Sequence, residues 1–243
     1  MPPPGERPMS RFETTRWSIV VRAREDSAAA RAALETLCRT YRPPVLAYIR
    51  GHGYAPDAAE DLAQSFFARF LEHAWHAGAD PARGRFRTYL LTVLKRHLSD
   101  AAVEARALKR GGNFSFESLD EESADASSAD APERAFERAW AIAVLQSALA
   151  RLQAEAEEAG KQDLFAALRE FLVEPPDEAD YARVAEQLGL RRNTLAVAVH
   201  RLRLRLRDLV QAELAQTTAS ERDCEDEMSA LGSALGPVVS APQ

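Results

Sequence analysis

Cysteine is nearly absent from this chain. Cys38 and Cys224 are the two in 243 residues, and their separation fits no zinc or disulfide spacing. Glycine is sparse and β-branched residues are few, while Ala, Leu, Arg and Glu dominate, which disfavours sheet and points to an all-helical protein. No apolar run approaches the length needed to span a bilayer. The opening MPPPGERP lacks the apolar core of a signal peptide, so a soluble cytoplasmic protein with free thiols and no membrane association is expected. There is no phosphate-cradling glycine loop, no Gly-x-Ser-x-Gly elbow and no His-Glu-x-x-His, so no catalytic constellation is expected and the chain does not read as an enzyme. His73 and His76 have a spacing that metals use, but no cysteine or second pair completes a site. The acidic run at 117–133 lacks the glycine-punctuated spacing of a cation loop. Neither metal nor cofactor is expected.

The net charge of −6 looks wrong for a nucleic-acid binder until it is divided along the chain. Residues 1–112 carry a net +6, 113–179 a net −11, 180–214 a net +3 and 215–243 a net −4. Two basic modules flank an acidic middle. Local potential governs phosphate binding, and total charge mostly governs solubility.

The second basic module holds the sharpest motif. Tyr181, Val184, Ala185 and Leu188 recur at i, i+3, i+4, i+7 and give a short helix one apolar face. Gly189 then supplies the left-handed conformation a helix end needs. Arg191, Arg192, Asn193 and Thr194 open a longer helix whose inward stripe is Leu195, Val199, Leu202, Leu206 and Leu209. Arg201 to Arg207 alternates Arg with Leu, which is a strand pattern. The helical stripe continues through it without a phase break and no β-branched residue intervenes, so helix is the expectation. A helix-turn-helix lays its second helix in the major groove, and Arg and Asn at its start suit guanine and adenine edges.

The first basic module runs from Arg83 to Arg110. Arg83, Arg85, Phe86, Arg87 and Tyr89 interleave cations with aromatic rings, and Lys95, Arg96 and His97 follow two turns on. Cations track a backbone while rings stack on unpaired bases, a combination suited to a strand being opened. Phe86 also has core spacing to Leu90 and Val93, so both roles stay open for it. Upstream, Ser27 caps a helix that Pro43–Pro44 interrupts and that resumes at Val45. Asp57 then caps another, with Asp57 and Glu60 at capping-box spacing. Its apolar rows are Leu62, Phe66, Phe70 and Ala63, Phe67, Leu71, with Asp61, Gln64 and Glu72 on the polar side. A short first helix is expected over 15–24.

The resulting expectation is two small helical domains joined by a flexible acidic linker, with a C-terminal helix-turn-helix. A disordered start (1–10) precedes a helical domain (11–112), the linker (113–132), the second domain (133–216) and a largely unstructured tail (217–243) holding a weak helix over 225–235.

Taken in order, these pieces resemble the extracytoplasmic-function group of bacterial RNA polymerase sigma factors, in the sigma-70 superfamily. DAAEDLAQSFFARFLE at 57–72 is similar to the helix carrying the group's A-E-D-L-x-Q signature. FRTYLLTVLKRHLSDAAVEAR at 86–106 is similar to its promoter-melting helix, and YARVAEQLGLRRNTLAVAVHRLRLRLRDL at 181–209 to its C-terminal DNA-binding pair. The resemblance implies a region 2-like domain at 11–112 and a region 4-like domain at 133–216. It implies that Asp57, Glu60, Asp61 and Gln64 dock core RNA polymerase. Arg83, Arg85, Phe86, Arg87, Tyr89, Lys95 and Arg96 would engage melted promoter DNA, with a flipped base held by the loop from Trp75 to Arg83. Arg191, Arg192, Asn193, Thr194, Ala196, Val197, His200 and Arg201 would face the minus-thirty-five element. The control partner implied is an anti-sigma factor or a Ser/Thr kinase, with Thr14, Thr15, Thr217 and Thr218 as available hydroxyls. Ser65 stands where the group commonly has glutamate, and Ala196 and Ala198 where basic or polar residues are common. Two other readings stand beside this one: a polymerase-independent helix-turn-helix regulator with an N-terminal sensing or dimerisation domain, and a helical scaffold with no nucleic-acid role.

Overall fold

The computed structural model describes residues 28–72, 85–111, 131–174 and 176–236. The expected helix at 15–24, the Trp75–Arg83 loop, the His73/His76 pair and residues 113–130 of the acidic linker lie outside them, while its last two residues, 131 and 132, begin a helix. Every regular element among the described residues is helical. We number the helices α1 (Ala28–Gly51), α2 (Pro56–Glu72), α3 (Phe86–Gly111), α4 (Ala131–Glu158), α5 (Gln162–Leu168), α6 (Glu178–Leu188), α7 (Arg192–Leu214) and α8 (Glu221–Leu235). A single 3-10 turn, Glu170–Leu172, follows α5. None of these helices is long and apolar enough to cross a membrane.

The chain divides into two compact units. The first comprises residues up to Trp140 together with Ala215–Asp223, and the second comprises Ala141–Leu214 with the residues from Cys224. The first unit is built on aromatic packing. Tyr41 of α1 meets Phe86 of α3 edge-on at 4.8 Å, and Phe70 of α2 meets the same ring at 6.3 Å. Phe66, Leu90 and Leu94 complete that interior.

Two expectations are corrected here. Pro43–Pro44 does not interrupt the first helix, which runs unbroken from Ala28 to Gly51. The missing proline N–H groups leave the carbonyls of Arg39 and Thr40 without their usual donors, a cost of about 3 kcal/mol or more per interior proline. Burial outweighs the local rule: Tyr41, Val45, Tyr48 and Ile49 flank the prolines and are all buried, each contributing roughly 1.5–3 kcal/mol. Asp57 does not cap α2 either. Pro56 takes the first helical position, where its ring fixes the required φ and its missing N–H is no loss. Glu60 turns instead to Arg42 at 2.5 Å and Arg50 at 3.5 Å, both on α1.

The second unit holds the helix pair. Leu168, Phe171, Val184, Leu195 and Val199 form its core, with Tyr181, Ala185, Leu188 and Leu202 packed against them. Asp177 caps α6 by accepting the Asp180 N–H, and Asp180 answers by accepting the Asp177 N–H. Gly189 ends α6 at φ 64°, a left-handed conformation that L side chains resist. α7 runs through Arg201–Arg207 as one helix, so the strand pattern there is overruled. α8 begins at Glu221 and is longer than the weak helix expected over 225–235, because Ser220 supplies a cap and Cys224, Glu227 and Leu231 supply a buried face.

Candidate nucleic-acid interface

Three surfaces carry the residues singled out in the sequence. On α2, Asp57, Asp61 and Gln64 are exposed along one row, and Leu71 ends it. Their spacing of i, i+4, i+7 and i+14 sets them on a single helical face. Glu60 lies beside that row, held by the two α1 arginines.

At the start of α3 and along it, Arg85, Arg87 and Lys95 are engaged within the chain. Arg87 is 7 % exposed, forms an ion pair with Glu137 and stacks over the Trp140 ring at 4.2 Å. A guanidinium over an indole face gains from the ring quadrupole. Lys95 reaches Glu133 at 2.7 Å, and that hydrogen bond holds the Glu133 carboxyl below its usual range. Burial, with Glu133 adding to it, pushes the Tyr48 phenol up to about 12. Arg85 faces Asp223 at 4.0 Å. Phe86 is 1 % exposed between Tyr41 and Phe70. Tyr89 is half-buried and Arg96 is exposed, while Arg83 lies outside the described residues. These pairings were missed in the sequence. A signal for them existed, since Glu133, Glu137 and Trp140 share one face of α4 at i, i+4, i+7.

On α7 the outcome differs. Arg191, Arg192, Asn193, Thr194, Ala196, Val197, His200 and Arg201 are all exposed. They occupy the N-terminal end of the helix and turn away from Leu195 and Val199, which face the core. Asn193, Thr194, Val197 and Arg201 also line an open groove of about 740 Å³, whose other wall includes Leu152, Glu155 and Ala156 of α4. Two other arginines of the run, Arg203 and Arg205, are structural. Arg205 grips both Glu155 oxygens at 2.8 and 2.7 Å, which draws the Glu155 carboxyl below its usual range. Arg203 donates to the Phe171 carbonyl from two nitrogens, at 2.9 and 2.6 Å.

Residues 37–107, from within α1 to the last turns of α3, match the family model for sigma-70 region 2. No curated protein and no solved structure matches the chain.

Proposed function

Residues 37–107 match sigma-70 region 2, and we propose that the chain is a sigma-70 superfamily member that binds core RNA polymerase, directs it to a subset of promoters and helps open them. The observation that carries this reading is the pairing, in one chain, of that matched segment with an exposed, arginine-headed helix pair in the other unit. The exposed row Asp57, Asp61 and Gln64 docks the enzyme. Acidic and amide groups with an apolar end suit a basic helical partner. The exposed side of α3 takes the opened strand, with Arg85, Lys95 and Arg96 on phosphates and Tyr89 beside a base, while Arg87, buried against Glu137 and Trp140, is structural and not a phosphate contact. The first turns of α7 enter the major groove, where Arg191 or Arg192 reads guanine and Asn193 reads adenine. Val197 and Ala196 offer apolar contact to thymine methyl groups. In this reading residues 11–112 are the region 2-like domain and 133–216 the region 4-like domain. The group is the extracytoplasmic-function one, and an anti-sigma factor or a kinase exerts control in the cytoplasm.

The test is co-elution of the full chain with bacterial core polymerase, wild type beside Asp61→Arg. The wild type should co-elute at low salt, and the reversed charge should weaken docking while duplex binding through α7 persists. Clean separation of the wild type from core would refute the reading and leave the polymerase-independent regulator. Equal loss of both activities in the variant would mark Asp61 as structural.

A further inference from the structure

The segment Ala215–Asp223 leaves the end of α7 and folds with the N-terminal unit. Ala215 and Thr218 are buried. The Thr217 carbonyl accepts the Phe86 N–H at 3.2 Å, and so satisfies one of the donors that the first turn of α3 leaves unpaired. Ser220 fixes the other end. Its hydroxyl accepts the Asp223 N–H at 3.1 Å and donates to one Asp223 oxygen at 2.6 Å. The second oxygen of Asp223 faces Arg85 Nε at 4.0 Å. A carbonyl and a carboxylate therefore stand together at the N-terminal end of a basic helix, where helix dipole, free N–H groups and an arginine would otherwise draw a phosphate.

We propose that Ala215–Asp223 is an internal competitor for nucleic-acid phosphate at the Arg85 end of α3. The opened strand reaches Arg85 only when this segment leaves. The inference rests on the strand-binding role given to α3 above. A ligand that needs the open form binds more weakly by the fraction of chains that are open, so loosening the segment raises affinity.

Fluorescence anisotropy with a single-stranded oligonucleotide and the full chain measures this. Asp223→Asn keeps the hydrogen bonds to Ser220 and loses the charge. Glu225→Gln makes the same charge change at an exposed site on the same helix. Asp223→Asn should tighten binding about 2- to 5-fold, the range of a partly exposed ion pair, and Glu225→Gln should do so by less than about 1.5-fold. In wild type, bound oligonucleotide should also strip hydrogen-exchange protection from residues 215–219. Equal affinity of the two variants, or unchanged protection with oligonucleotide bound, overturns the competitor. Absence of binding by wild type, both variants and the polymerase-bound chain overturns the strand-binding reading and the competitor with it.

Discussion

Arg203 offers the sharpest separation of scaffold from interface. It sits in the middle of an Arg–Leu alternation whose arginines all look equivalent in the sequence. In the fold its guanidinium is spent on backbone: Nε and Nη2 donate to the Phe171 carbonyl at 2.9 and 2.6 Å, and Nη2 reaches the Glu174 carbonyl at 3.3 Å. Phe171 lies within the 3-10 turn Glu170–Leu172 and Glu174 just after it, and the Phe171 ring packs in the core with residues of α6 and α7. Hydrogen bonds from charged groups contribute about 1.5–3 kcal/mol each. Arg203 and Glu174 are partly solvated, and water replaces some of that. We therefore expect Arg203→Ala to destabilise the second unit by about 2 kcal/mol. Arg203→Lys should recover part of the loss, because it keeps the charge but not the two-pronged geometry. Native-state hydrogen exchange at the Val184 and Val199 amides reads this in the full chain. The contrast is Arg191→Ala, which should leave exchange within about 0.5 kcal/mol of wild type. It should weaken promoter binding by roughly 1–3 kcal/mol. The reasoning fails if Arg203→Ala leaves exchange unchanged while lowering the salt slope of duplex binding by about 1, the mark of a lost phosphate contact.

Gly189 and His97 give two further tests. A Cβ at Gly189 would meet no heavy atom within 4 Å, so Gly189→Ala should cost about 1 kcal/mol through its φ of 64° alone. Gly189→Asn should cost less, and equal exchange protection of α6 in the Gly and Ala proteins would refute the conformational argument. His97 is buried, with Nε2 3.1 Å from Ser65 Oγ, Nδ1 without a hydrogen-bond partner among the described residues, and the ring edge-on to Phe66. Burial, and then Arg69, lower its pKa, against smaller opposing effects from Leu62, Asp100 and Glu104. The unfolded chain therefore takes up the proton first. Stability from this site is complete above the unfolded value of about 6.5 and is lost as pH falls through the lower folded value. Urea midpoints at about pH 7.5 and 5.5 should fall for wild type and fall less for His97→Leu; an undiminished fall in the variant would contradict the assignment.

What could be read in the sequence was local. The row Tyr181, Val184, Ala185, Leu188 marks its helix because one face is paid for by burial and the other is polar, and Gly189 marks its end through φ alone. The exposed positions at the head of α7 follow from the phase of its own inward stripe, Leu195, Val199 and Leu206. What could not be read depends on partners distant in sequence. Pro43–Pro44 breaks a helix by local rules and stays within one because of what Tyr41, Val45 and Ile49 bury. Asp57 and Glu60 have capping-box spacing, yet Glu60 answers Arg42 and Arg50 across α1. Arg85, Arg87 and Lys95 look alike as solvated cations until Asp223, Glu137 and Glu133 arrive from later segments. Arg203 and Arg205 are absorbed in the same way by Phe171 and Glu155.

Promoter-dependent run-off transcription by purified core polymerase, with and without this chain, on a library of genomic promoters is the most direct measurement. The account predicts transcripts from a defined subset of templates only when the chain is added, and loss of that subset with Arg191→Ala or Asp61→Arg. Core polymerase giving the same products with and without the chain would contradict it.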